Sequence, residues 1–223
     1  MALSRRSLLK YSSILTASTV ITGCTTTSDI KSNKQLSNQT TKAPIPATTK
    51  QRVVIVGGGW SGLSIAKNVK KFAPNCEVVL VEQRGHFVSC PMSNLWLVDK
   101  VNLEYLTHDY LQASRENNYI YFHATAINLD KQNNILHTSN GTISYNHIVF
   151  APGIDYDYSS WTTDLALQYK LRTQYPAGFI PGSEHLTLKN KIKNFKSGNF
   201  IMTVPGGNYR CLPAPYERAC IVA

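Results

Sequence analysis

Six residues of this 223-residue chain have types and spacings that could do chemistry. Gly57, Gly59 and Gly62 stand as G-x-G-x-x-G, Glu82 follows twenty residues after the last of them, and Cys90 and Cys211 lie in proline-containing stretches. Glycines so spaced let a chain turn sharply, admit a pyrophosphate against backbone N–H groups, and bring a helix close to a strand. An acid at that distance can accept both hydroxyls of an adenosine ribose, which favours FAD or NAD over NADP. The motif alone does not choose between those two. Cys211 adjoins Arg210 and precedes Pro213 and Pro215, which predict a helix start. A thiol placed there is expected to ionise easily and react as thiolate. The plainer readings are an ordinary loop thiol at Cys90 and a structural cysteine at Cys211.

These residues need elements to hold them. Val53–Val56 and Val78–Val81 are wholly apolar runs with the character of buried parallel strands. Between them Leu63, Ala66, Val69 and Lys70 recur at near-helical spacing, and Pro74 stops the helix. Strand, glycine loop, helix, strand and acid in register make a dinucleotide fold rather than a chance loop. Residues 119–147 predict a strand and a meander with a hairpin turn at Asn140-Gly141. Ile148-Val149-Phe150-Ala151-Pro152-Gly153 is a further apolar strand ending in A-x-G, which resembles the turn that returns the chain to the FAD pyrophosphate in two-dinucleotide-binding-domain flavoproteins. That order favours FAD over NAD. The expected cofactor residues are Gly57, Gly59, Trp60, Gly62, Glu82, Gln83, Ala126, Ala151 and Gly153. The six histidines show no ligand spacing, so no metal is expected. Cys76, just before the second strand, reads as a small buried hydrophobe.

From about Gln51 to Ala223 the chain resembles the N-terminal half of the flavoprotein subunit of flavocytochrome c sulfide dehydrogenase. The blocks that carry the resemblance are the GGG loop, CPMSN at 90–94, HATAI at 123–127, VFAPGIDY at 149–156 and RCLPAPYERA at 210–219. It implies an α/β fold: a Rossmann-like FAD-binding domain over 51–160 and the start of a second dinucleotide-binding-like domain over 161–223, truncated. It implies a thioether from Cys90 to the flavin 8α-methyl, and Cys211 as one half of a redox-active disulfide that receives sulfide sulfur. Hydrosulfide attack on such a disulfide leaves a persulfide and a thiolate. Electrons then pass through the flavin to a c-type cytochrome subunit, or to a quinone if the enzyme is a sulfide:quinone oxidoreductase. A non-catalytic FAD-binding relic is the reading from another class.

Two departures from the family stand out. Cys220 lies nine residues past Cys211, roughly 13 Å along a helix and beyond the ~7 Å reach of a disulfide. The family's second cysteine comes much later in its chain. Phe200–Val204 predicts a third buried strand, yet Pro205-Gly206-Gly207-Asn208-Tyr209 after it lacks G-x-G-x-x-G, so no tight nicotinamide site is expected. The folded length is about half what two such domains require, and the chain reads as part of a longer enzyme.

The net charge of +10 at first suggests a nucleic-acid partner. Residues 1–23 carry +3 and residues 24–50 another +3, leaving sixteen bases against twelve acids in 51–223. Most of the excess therefore lies ahead of the domain, and no nucleic acid is expected. Arg5-Arg6 before a short apolar run resembles a twin-arginine export signal, the alternative being an ordinary secretory signal. Ile21-Thr22-Gly23-Cys24 resembles a lipobox, the alternative being a small-residue cleavage site. A periplasmic protein, lipid-anchored to a membrane through Cys24, is the expectation. Residues 24–50, rich in Ser, Thr, Asn and Gln, read as a disordered tether.

Overall fold

The computed structural model describes residues 41–204, 206–207 and 209–223. The expected signal, the lipobox at Cys24 and most of the tether lie outside the described residues, as do Pro205 and Asn208.

Four strands form a parallel sheet in the order β5-β2-β1-β9, with β1 at Arg52–Val56, β2 at Glu77–Glu82, β5 at Ile120–His123 and β9 at His147–Phe150. Valine and isoleucine fill the middle of β1 and β2 because both sheet faces are covered. Alternation along β1 feeds two cores. Val53 and Ile55 pack with Val78, Leu80, Ala66 and Tyr110 on the helical face. Val54 packs with Val79, Val81, Phe122, Leu136 and Ile143 on the other. The helical face is built by α1 (Trp60–Phe72) and α4 (Tyr110–Asn117). Helix α4 starts where Asp109 accepts from the amides of Leu111 and Gln112, and ends at Asn118 in a left-handed conformation (φ 59°). The second face is covered by an antiparallel meander of β6 (Ala126–Asp130), β7 (Ile135–Thr138) and β8 (Gly141–Ser144). The expected strand, helix and meander order is therefore present, but the hairpin turns at Ser139-Asn140 instead of Asn140-Gly141, because Gly141 already pairs with Thr138 in the ladder.

A two-stranded ribbon of β3 (His86–Val88) and β4 (Thr107–Asp109) carries between its strands the Cys90 loop, the short helix α2 (Ser93–Leu97) and α3 (Leu103–Leu106). Beyond β9 the described chain forms three helices: α5 (Leu165–Gln174), α6 (Ser183–Asn194) and α7 (Ala214–Val222). Helices α6 and α7 pack on α2, where Leu188 joins Trp96, Leu97 and Leu106 in a third apolar cluster.

Two further expectations need correction. Phe200–Val204 is not a strand. A strand needs backbone partners, and this segment lies along none of the sheets; Ile201 is 81% exposed. The tether, expected to run to residue 50, is already part of the fold by Thr41. Ala43 is buried in the meander core, its amide donates to the Thr142 carbonyl, and Pro46 offers its carbonyl to Arg52. Two alanine and isoleucine side chains among polar neighbours were too sparse to mark that segment, but a meander face with a vacant edge has room for them.

Candidate functional site

All four loops that leave the carboxyl ends of the parallel strands meet at one edge of the sheet, and the order reverses between β1 and β9. A crevice at such a reversal is where open α/β sheets take their ligands. The glycine turn after β1 is held rigidly. Gly57 has φ +103°, its amide donates to the Val81 carbonyl, and a Cβ on it would stand 2.2 Å from the Ala151 carbonyl oxygen. A Cβ on Gly62 would stand 1.8 Å from the Gly57 carbonyl oxygen, so the first and third glycines close the turn on itself. Gly59 differs: a Cβ there meets nothing within 4 Å. Helix α1 begins beside this opening with Gly59 as N-cap and no side-chain cap, leaving its first amides facing the space.

Glu82, buried at the end of β2, points its carboxylate at the same turn. One oxygen accepts from the Gly58 amide at 2.6 Å and the other from the Arg84 amide at 2.8 Å. A carboxylate offers about four lone-pair sites, so both oxygens keep capacity for sugar hydroxyls. The sequence assigned this acid to a ribose alone; the fold also makes it a brace for the glycine loop.

The cleft between these loops is lined by Gly59, Trp60, Glu82, Gln83, Cys90, Ala151 and Gly153 of the expected residues. Trp60 sits edge-on to Phe87, with ring centroids 5.3 Å apart. Gln83 receives the His123 ring nitrogen at its backbone carbonyl. The Ala151 amide donates to Val56, which ties the A-x-G turn to the end of β1, and Gly153 takes φ +84°. Ala126 is elsewhere: it opens β6 and packs on the meander core rather than on the cleft.

Sequence reasoning missed three parts of the wall. Tyr110 starts α4, and its hydroxyl donates to the Gly58 carbonyl at 2.8 Å. Phe179–Pro181 line the cleft from beyond β9, and Arg84 and Phe87 line it after β2. Nothing local marks these residues; only the Pro181-Gly182 turn could have been noticed.

Cys90 and Arg210 reach this cleft from segments 120 residues apart. Burial pushes the Cys90 thiol up, against which Arg210, a hydrogen bond with Ser93, and Arg218 pull it down. Cys211 lies near enough that a thiolate there would oppose ionisation of Cys90. The two cysteines are half-buried and each is a free thiol. Cys211 offers its carbonyl to the Ala214 amide at the first residue of α7, so the expected helix does begin just after it. Arg210, expected from its sequence position to serve Cys211, acts on Cys90.

Residues 51–164 match the pyridine nucleotide-disulphide oxidoreductase family, and residues 185–223 match the central region of the sulfide dehydrogenase (flavocytochrome c) flavoprotein chain. The chain belongs to this family. One curated relative, the sulfide dehydrogenase (flavocytochrome c) flavoprotein chain of Chlorobaculum thiosulfatiphilum, is 52% identical over 44 residues, which is 20% of this chain and 92% of that sequence. Among solved structures, the sulfide:quinone oxidoreductase of Aquifex aeolicus superposes with a TM-score of 0.54 at 19% identity, covering 64% of this chain and 32% of that one. NDH2 of Plasmodium falciparum superposes with a TM-score of 0.52 at 15% identity, covering 64% and 28%. These structural likenesses establish the Rossmann-like fold, and this chain spans about a third of their length. The family is one of flavin-dependent oxidoreductases.

Proposed function

We propose that this protein serves an FAD-dependent oxidation of sulfide, with Cys211 as the residue that receives sulfide sulfur and Cys90 as the flavin attachment point. The carrying observation is the convergence of the glycine turn, Glu82, Cys90 and Arg210 on one cleft. The open space at Gly59, the uncapped start of α1 and the spare lone pairs of Glu82 fit the pyrophosphate and ribose of FAD. The A-x-G turn at Ala151–Gly153 adds the facing wall.

In this reading Gly57 and Gly62 keep the turn tight, Gly59 admits the phosphates, and Trp60, Phe87 and Tyr110 exclude water from the sugar end. Arg210 supplies positive charge where sulfur is to be negatively charged. With Cys211 in a disulfide to a second cysteine, which the family carries much later in its chain, sulfide attacks one sulfur, the S–S bond breaks, and the products are a persulfide and a thiolate. A bound FAD would supply the two-electron sink and the one-electron release to an acceptor. A c-type cytochrome is the proposed acceptor and a quinone the competing one. Export by a twin-arginine signal, lipidation at Cys24 and a periplasmic site belong to the same proposal and rest on residues 1–24.

Mass spectrometry of the purified, unfolded protein tests the assignment. A flavin adduct on the Cys90 peptide is the expected result, and noncovalent FAD alone points to the quinone enzyme. Absence of any flavin overturns the proposal. Sulfide-dependent bleaching of the flavin separates an active enzyme from a binding relic, and the acceptor reduced in turnover decides between cytochrome and quinone.

A further inference from the structure

The loop that holds Cys90 and the segment that holds Cys211 are joined through one side chain. Asn94 is buried on α2, four residues after Cys90. Its amide oxygen accepts from Arg218 Nε at 3.0 Å, and its amide nitrogen donates to Glu217 at 3.0 Å. The partners dictate the orientation, because a guanidinium only donates and a carboxylate only accepts. Arg218 also donates from Nη1 to the Ala177 carbonyl at 2.6 Å, and lies 6.0 Å from the Phe179 ring centre. Three segments therefore meet at one guanidinium: the helix after Cys90, the turn that walls the cleft, and the helix after Cys211.

We propose that Asn94 is a positioning residue, which accepts from Arg218 and thereby fixes the Cys211 segment against the Cys90 loop and the Phe179 wall. The two bonds are not equivalent. Glu217 is exposed and can turn to water, whereas Arg218 is half-buried and would keep a charge without its acceptor. Its meaning for catalysis rests on the reading of Cys90 and Cys211 given above. The geometric claim can be judged without it.

The test is the rate at which iodoacetamide alkylates Cys211 in the full-length protein, resolved by peptide mass spectrometry. Cys76, half-buried beside the helical-face core and remote from the clamp, serves as the internal control for global unfolding. Asn94→Leu removes the acceptor and is expected to raise the Cys211 rate relative to Cys76 on the order of tenfold. Asn94→Asp keeps an acceptor for Arg218 and should stay within about twofold of wild type. Arg218→Leu should reproduce the Asn94→Leu effect, and the pair together should add little more, as expected for partners in one interaction. An unchanged Cys211-to-Cys76 ratio in Asn94→Leu overturns the proposal. If that variant does not fold, Arg218→Leu decides, and an unchanged ratio there overturns it equally. Loss of rescue in Asn94→Asp would reduce Asn94 to a packing residue. Flavin content and sulfide turnover of the wild type are measured alongside. Their absence would sink the functional reading while the alkylation ratios still judge the clamp.

Discussion

The phenol of Tyr110 donates to the carbonyl of Gly58 at 2.8 Å, and a Cβ added to Gly58 would lie 2.7 Å from the Tyr110 ring. The middle glycine of the GGG run, which the fingerprint treats as a free position, is thus constrained by a residue fifty-two positions away. The phenol is held neutral: burial, then the nearby Glu82 carboxylate, push its ionisation well above the usual tyrosine range. Tyr110→Phe keeps the ring and loses the bond, which should lower stability by about 1 kcal/mol in urea unfolding. Gly58→Ala should cost more, about 1–3 kcal/mol, because the ring must shift. Equal stability of Gly58→Ala and wild type would show that the ring can move aside freely.

Gly59 and Gly62 are both fingerprint glycines, yet the same substitution should affect them differently. Gly62→Ala drives a methyl group into the Gly57 carbonyl and should cost about 3 kcal/mol or more, seen as a large fall in the unfolding midpoint. Gly59 has an ordinary φ of −73° and open space, so Gly59→Ala should cost no more than about 1 kcal/mol as a poorer N-cap. Its expected effect is on retention of flavin, measured by absorbance after gel filtration. Full flavin occupancy in Gly59→Ala would show that no phosphate approaches there.

His185 sets an acid limit on the packing around α2 and α6. Its Nδ1 faces the Ile180 carbonyl at 3.1 Å and so carries the proton, while the buried Nε2 has no partner. Burial, the larger cause, holds its ionisation below the ordinary value of 6.5, opposed by the bond to Ile180 and the charge of Glu184. A depressed folded-state pKa means the unfolded chain takes up the proton first as pH falls. Stability from the neutral ring is therefore present above about pH 6.5 and lost progressively below it. Thermal melts from pH 7.5 to 5 should fall more steeply for wild type than for His185→Gln. Parallel slopes would remove His185 from the explanation.

Much of this protein could be read without coordinates, because the features that announce a dinucleotide fold are local. The apolar runs at Val53–Val56 and Val78–Val81, the glycines between them and the acid at Glu82 specify strand, turn, helix and register by steric and burial rules that act over a few residues. The hairpin signal is equally local, since a residue without a side chain readily takes the positive φ of Gly141 (+104°), although the turn itself falls one residue earlier, at Ser139-Asn140. Phe200–Val204 shows the limit of such reading: an apolar, β-branched run becomes a strand only where another strand offers hydrogen bonds. The tether's end failed for the converse reason, since Ala43 and Ile45 carry no pattern and gain their place from the meander face that receives them. The cleft wall at Tyr110 and Phe179, the double duty of Glu82, and the Asn94 bridge between the two cysteine segments depend on contacts across tens to more than a hundred positions. Such contacts are set by how layers pack and not by any neighbouring residue. Sequence determined which groups could hold a nucleotide and react as thiols, and tertiary packing alone decided that Cys90 and Arg210 join the glycine turn and Glu82 at one cleft.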